Sequence, residues 1–226
     1  MKNRNNLLAA LVIGAGFTAR ADSLVYGYDT AYTDKYTPAG EAPWIQATFT
    51  DIEKGVIKLE VKALSLSKDE FVSTWGFNVN PELDPTTFDF ELISSFNYDS
   101  KESTVFTKGQ DSVSAGGSVA LDFDLNFGNH TFGVGSDVVF YIKSDKPLSV
   151  ADFYFATEGK KSGYYSAAHI QGLADGKSAW VEPTATFDTG EVVITPVPEA
   201  STLAAIGFVG AVAGFGFVRA RRQVKK

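Results

Sequence analysis

Residues Val119 to Phe127 alternate without a fault, and no other stretch restricts the fold so tightly. Val119, Leu121, Phe123, Leu125 and Phe127 share one parity, whereas Asp122, Asp124 and Asn126 share the other. A helix would scatter these residues around its axis, but a β-strand gathers each set on one face. Val56 to Ala63 repeats the pattern, with Ile57, Leu59, Val61 and Ala63 set against Lys58, Glu60 and Lys62. Further strands are expected at 24–28, 44–50, 71–79, 88–96, 138–143, 152–156, 164–170, 179–186 and 192–195. Pro38-Ala39-Gly40, Asn80-Pro81, Gly116-Gly117, Gly128-Asn129, Asp145-Lys146-Pro147 and Asp175-Gly176 punctuate them with turn chemistry. No long amphipathic helix appears before Leu203, and no internal repeat is visible. The expectation is an all-β fold, an antiparallel β-sandwich of jelly-roll-like order, in which two sheets pack face to face.

Both chain ends read differently. Lys2 and Arg4 precede an uncharged apolar run, Leu7 to Phe17, followed by Ala19-Arg20-Ala21. This is the order of a secretory signal, placing a signal helix at 1–21 with cleavage after Ala21. At the other end Leu203 to Val218 carries no charge and abuts Arg219, Arg221, Arg222, Lys225 and Lys226. A bilayer core needs roughly 20 helical residues, which this run reaches by drawing in Ala200, Ser201 and Thr202. A C-terminal transmembrane helix is therefore expected, with its basic end on the cytoplasmic side. Residues 22–191 form the ectodomain, 192–197 the end of a last strand and a linker, and 198–226 the membrane segment with its basic tail.

With the ends set aside, 12 lysines face 26 acidic residues between Asp22 and Val197, a net charge of −14. That field repels phosphate backbones and excludes nucleic acid as a partner. Cysteine is absent, so no disulfide or thiolate chemistry is open to the domain and packing alone must hold it.

The order Val197-Pro198-Glu199-Ala200-Ser201-Thr202, apolar Gly-rich helix, arginine cluster resembles the PEP-CTERM sorting domain of Gram-negative bacteria. Ala200 stands where that family often has a second proline. The resemblance implies Sec export, an inner-membrane intermediate held by the C-terminal helix, and processing by an exosortase-type membrane enzyme. The destination would be the cell surface or the extracellular polysaccharide matrix, with a structural role in envelope or biofilm. The stretch from Tyr164 to Val181, with Trp75-Gly76-Phe77-Asn78-Val79-Asn80 upstream, looks like segments recurring in PEP-CTERM proteins of unassigned role.

Candidate chemistry in the ectodomain is sparse. Asp122-Phe123-Asp124-Leu125-Asn126 opens like a calcium loop, but Phe127 stands at the turn glycine and Gly133 at the bidentate glutamate. Asp122 and Asp124 are thus either the wet face of a strand or, with Asp137 nearby, a modest oxygen-ligated Ca2+ site. His130 and His169, 39 residues apart, make no metal signature; His169, flanked by small residues, is expected half-buried and hydrogen-bonded to backbone. A carboxylate pair such as Glu60 with Glu91 would suit a glycoside hydrolase. There is no Gly-x-Ser-x-Gly elbow, His-Glu-x-x-His pair or phosphate loop, so catalysis is not expected. Trp44, Trp75 and Trp180 are the candidates for a carbohydrate-binding surface, since sugar faces stack on flat rings, and Trp44 and Trp180, at strand starts, are expected to be partly exposed.

Overall fold

A computed structural model of the chain describes residues 22–32, 36–98, 104–116, 119–158 and 162–188. The signal segment 1–21, the strand expected at 192–195, the sorting motif Val197 to Thr202, and the helix with its basic tail all lie outside these residues. Among the described residues no helix is long and apolar enough to cross a membrane.

Among the described residues ten strands carry the fold: β1 (Ser23–Ala31), β2 (Ile45–Glu53), β3 (Val56–Ala63), β4 (Phe71–Phe77), β5 (Asp89–Tyr98), β6 (Val105–Ala115), β7 (Val119–Asn126), β8 (Phe132–Lys143), β9 (Ser166–Leu173) and β10 (Lys177–Asp188). Their order is β5-β8-β3-β2-β1-β10-β9-β4-β7-β6, and every ladder is antiparallel. A further rung between Phe71 and Gly133 joins β4 to β8. Seven strands, from β8 round to β4, thereby close on themselves in a barrel-like ring. β5 extends the ring beside β8, and the β7–β6 hairpin extends it beside β4.

The expected pair of separate sheets is therefore replaced by one continuous sheet, and β10 shows why. Its first half, Lys177 to Val181, pairs with β9, whereas Val181 to Asp188 pairs with β1. One twelve-residue strand thus belongs to two layers. β8 does similar work on the far side, pairing Asp137 to Lys143 with β3 and Gly133 with β4.

Two elements differ from expectation. Residues 150–153 form a 3₁₀ turn instead of entering a strand. The Asp152 carboxylate accepts from the Ser149 backbone N–H at 2.9 Å and from its hydroxyl at 3.0 Å, a local bond that competes with any ladder. β6 was not expected at all. Its ladder to β7 breaks between Lys108 and Val113, with Gly109 at φ 150° and Asp111 at φ 53°, and that break erases the period-two pattern.

The interior is aromatic. Trp75 meets the Tyr28 edge at 5.0 Å and lies parallel to Phe77 at 6.2 Å. Phe77 in turn contacts Phe49 and Phe123, each at 5.3 Å, and Phe49 stacks on Phe153 at 4.5 Å. Each such pair contributes about 0.5–1.5 kcal/mol beyond the area it removes from water. The apolar face of β7 is divided: Phe123 and Leu125 enter this core, whereas Val119 and Leu121 join a smaller cluster with Val113, Ala115 and Ala167.

Two buried tyrosine hydroxyls are tied across the core. The Tyr26 hydroxyl donates to the Phe153 carbonyl at 2.7 Å. The Tyr28 hydroxyl bonds Ser166, whose own hydroxyl donates to the Gly76 carbonyl at 2.5 Å. Burial pushes both phenols well above the ordinary tyrosine range, so they remain neutral.

Candidate functional site

Two of the three tryptophans are core residues, which corrects the expectation that they could face a sugar. Trp75 is 0% exposed, packed in the core with Val72 and Phe77 of the same strand. Trp44 is 6% exposed, its indole donating to the Gly40 carbonyl at 2.9 Å while its own carbonyl receives Leu64 and Ser65. The chain on either side of the β2–β3 hairpin closes over it. Trp180 alone is half-buried, and one face of its ring is covered by His169, its cross-strand partner, at 4.8 Å and 17°. His169 is half-buried, as expected, and its Nδ1 lies 3.1 Å from the Ser73 hydroxyl. His130 packs its ring 4.0 Å from Phe71.

The acidic candidates are bonded within the fold. Asp122 accepts from the Val79 N–H at 2.9 Å through Oδ2 and from the Asp111 N–H at 3.0 Å through Oδ1. Asp124 accepts from the Thr107 N–H at 3.1 Å. Both are nearly buried, so they do not form the wet strand face that alternation suggested. Burial raises the Asp124 pKa, against the bonds from Thr107. Among the described residues no group of three or more acidic, histidine or cysteine side chains could hold a metal ion. Glu60 and Glu91 flank β8 from opposite sides, and each has its own lysine, Lys62 at 2.9 Å and Lys143 at 2.5 Å. Asp137 lies 3.4 Å from Lys62.

An unforeseen group does present aromatic surface. Tyr154 and Tyr165 stack with centroids 4.5 Å apart and planes at 7°, and Phe187 lies 6.3 Å from Tyr154. Tyr154 is 43% and Phe187 37% exposed, while Tyr165 is half-buried. Three elements set these rings. Tyr154 leaves the 3₁₀ turn just after Phe153, whose burial against Phe49 turns its neighbour outward. Tyr165 immediately precedes β9, its carbonyl receiving the Asn78 N–H at 3.1 Å. Phe187 is the penultimate residue of β10, opposite Leu24 of β1. The bond between the two phenols, and then burial, raise the Tyr165 pKa.

The three backbone positions are held by their elements, so the rings gather in one apolar shelf in which Tyr154 and Tyr165 each cover one face of the other. Such a surface can stack on the flat face of a pyranose and exchange hydrogen bonds with its hydroxyls. A shallow hollow elsewhere, lined by Pro81, Glu82, Leu83, Asp84 and Gln110, is open and has no comparable aromatic wall.

No family profile matches the chain, and no curated protein does. Among solved structures, a match is to a biomass-sensing module of an RsgI-like protein of Clostridium thermocellum, described as resembling the family 3 carbohydrate-binding module of the cellulosome. It is 11% identical, covers 71% of this chain and 99% of that one, and has a TM-score of 0.34.

Proposed function

We propose that the domain is an exported, non-catalytic component of the cell surface or extracellular matrix, and that it attaches there to polysaccharide. The observation that carries this reading is the anchored, exposed shelf of Tyr154, Tyr165 and Phe187. Flat rings with only two side-chain torsions lose little conformational freedom when a sugar stacks on them, which suits a surface that grips without transforming. The arrangement of the acids supports the same reading, because Glu60 and Glu91 are each ion-paired to a lysine and Asp122 and Asp124 are bonded to backbone. Export rests on the signal pattern of residues 1–21, and sorting by an exosortase-type enzyme on Val197 to Thr202 and the basic end from Arg219 to Lys226.

Sedimentation with insoluble polysaccharide tests the attachment. The wild-type protein is expected in the pellet, and Tyr154→Ala and Phe187→Ala in the supernatant with unchanged thermal midpoints. Equal pelleting of all three would remove the shelf from the function. Fractionation of the native cell, with intact mass, tests the destination: a C-terminus left unprocessed whether or not the processing enzyme is present would overturn the sorting step.

A further inference from the structure

The stacked pair in the shelf is placed for an oxidative chemistry that sugar binding does not use. Tyr154 and Tyr165 lie with ring centroids 4.5 Å apart and planes at 7°. Their hydroxyls are bonded to each other, so both phenol ends point the same way, and the ortho carbons beside each hydroxyl fall at the same end of the stack. Tyr154 is 43% exposed and open to an oxidant from solvent, whereas Tyr26 and Tyr28 are sealed in the core. A second pair, Tyr32 with Tyr164, has centroids 4.9 Å apart but planes inclined at 50°. Sulfur offers no competing sink in the domain: the chain has no cysteine, and its single methionine is Met1.

We propose that Tyr154 and Tyr165 are a modification site, joined ortho carbon to ortho carbon as a dityrosine by hydrogen peroxide and a haem peroxidase. The inference stands on the geometry of the pair and not on polysaccharide attachment. Each phenol gives up one hydrogen atom and becomes a phenoxyl radical whose unpaired spin rests partly on the ortho carbons. The oxidant needs to reach only Tyr154, because a radical formed there can draw the hydrogen atom of Tyr165 across the bond between their hydroxyls, leaving Tyr154 to be oxidised in turn. Two ortho carbons meeting face to face then pair their electrons in a new carbon–carbon bond, which first stands upright from both ring planes. A parallel stack is the arrangement this step needs, and holding the partners in it makes the coupling unimolecular. Each bonded carbon releases its hydrogen as a proton, each ketone oxygen takes one up, and both rings become aromatic again. Two phenols and one peroxide thus yield one biphenol and two waters. The bond ties the exit of the 3₁₀ turn, at Tyr154, to Tyr165 just ahead of β9.

Treatment of the dilute full chain in detergent with hydrogen peroxide and a haem peroxidase, followed by intact mass, dityrosine fluorescence and peptide mapping, tests this. The wild-type chain is expected to lose two hydrogen atoms while remaining a monomer, to emit in the blue, and to yield peptides bridged through Tyr154 and Tyr165. Tyr154→Phe and Tyr165→Phe keep a ring in place but remove the phenol, and each should abolish the bridged monomer. Tyr164→Phe should retain it. A bridge that survives in Tyr154→Phe, one that maps to Tyr32 and Tyr164, cross-links formed only between chains, or a wild-type chain of unchanged mass would each overturn the assignment.

Discussion

The Val79 N–H donates to Asp122 Oδ2 at 2.9 Å, across 43 residues of chain. It does so just beyond the point where β4 and β7 stop pairing, at Phe77 and Phe123, so a side chain continues the ladder in place of a carbonyl. The other carboxylate oxygen receives Asp111 in the break of β6. Asp122→Ala would strand the buried Val79 N–H, at a cost of about 1–3 kcal/mol, and free the Asp111 N–H, which water can reach. A loss of about 1–3 kcal/mol in chemical denaturation is expected, with Asp122→Asn intermediate because its amide can accept at only one atom. Since both oxygens are engaged, chelator and added Ca2+ should leave the thermal midpoint in place; a midpoint that falls with chelator would restore a structural cation.

Asp124 predicts a pH dependence of the less familiar sign. Its folded pKa lies above the ordinary carboxylate value of about 3.9, with burial as the leading cause. The folded chain therefore holds this proton more tightly than the unfolded one, and this group's contribution falls as pH rises through that interval. Asp124→Asn keeps an acceptor for Thr107 and removes the charge. The variant should match or exceed wild-type stability at neutral pH, and its advantage should vanish on acidification below about pH 4. Melts across that range decide it, and a deficit that grows with pH would contradict the assignment.

The Tyr28–Ser166–Gly76 chain of hydroxyls predicts an asymmetry. Ser166→Ala removes the hydroxyl donor of the Gly76 carbonyl and the acceptor of Tyr28 together, whereas Tyr28→Phe leaves Ser166 bonded to Gly76. The serine variant should cost about 2–4 kcal/mol and the tyrosine variant about 1 kcal/mol. Equal losses in urea would mean that the two bonds do not act in series.

Tryptophan emission separates the shelf from the tryptophan sites that the sequence suggested. Trp75 and Trp44 are buried and Trp180 is capped by His169, so polysaccharide at Tyr154 should leave the emission maximum and acrylamide quenching unchanged. A blue shift on binding, abolished by Trp180→Phe, would move the contact to Trp180 and away from the shelf.

The sequence was most readable where one residue type faced one environment. In β3, Ile57, Leu59, Val61 and Ala63 are buried against half-buried partners, as alternation demanded, and the strand bounds agree. It was misleading where a face changes its neighbour. The polar face of β7 looked wet, yet the broken β6 ladder covers it and its carboxylates close the gap. β6 itself was illegible because residues between Lys108 and Val113 leave the ladder. Trp44 stands just before a strand, where exposure is the ordinary expectation, and only the later approach of Leu64 and Ser65 encloses it. Tyr154, Tyr165 and Phe187 could not be singled out at all. They come from three elements, and no spacing along the chain records that two of them lie 4.5 Å apart.

The rung between Phe71 and Gly133 gives the ring a clasp. Every other junction round the circle is a ladder of several rungs, and β10 is common to both layers, so pulling them apart there means tearing one continuous strand. In the matrix location proposed above, swelling and drying would stretch the protein. Strain on this cuff would be relieved first at its fastening, by unrolling from β4 and β8, while the β1–β10 ladder beside the aromatic shelf stayed closed.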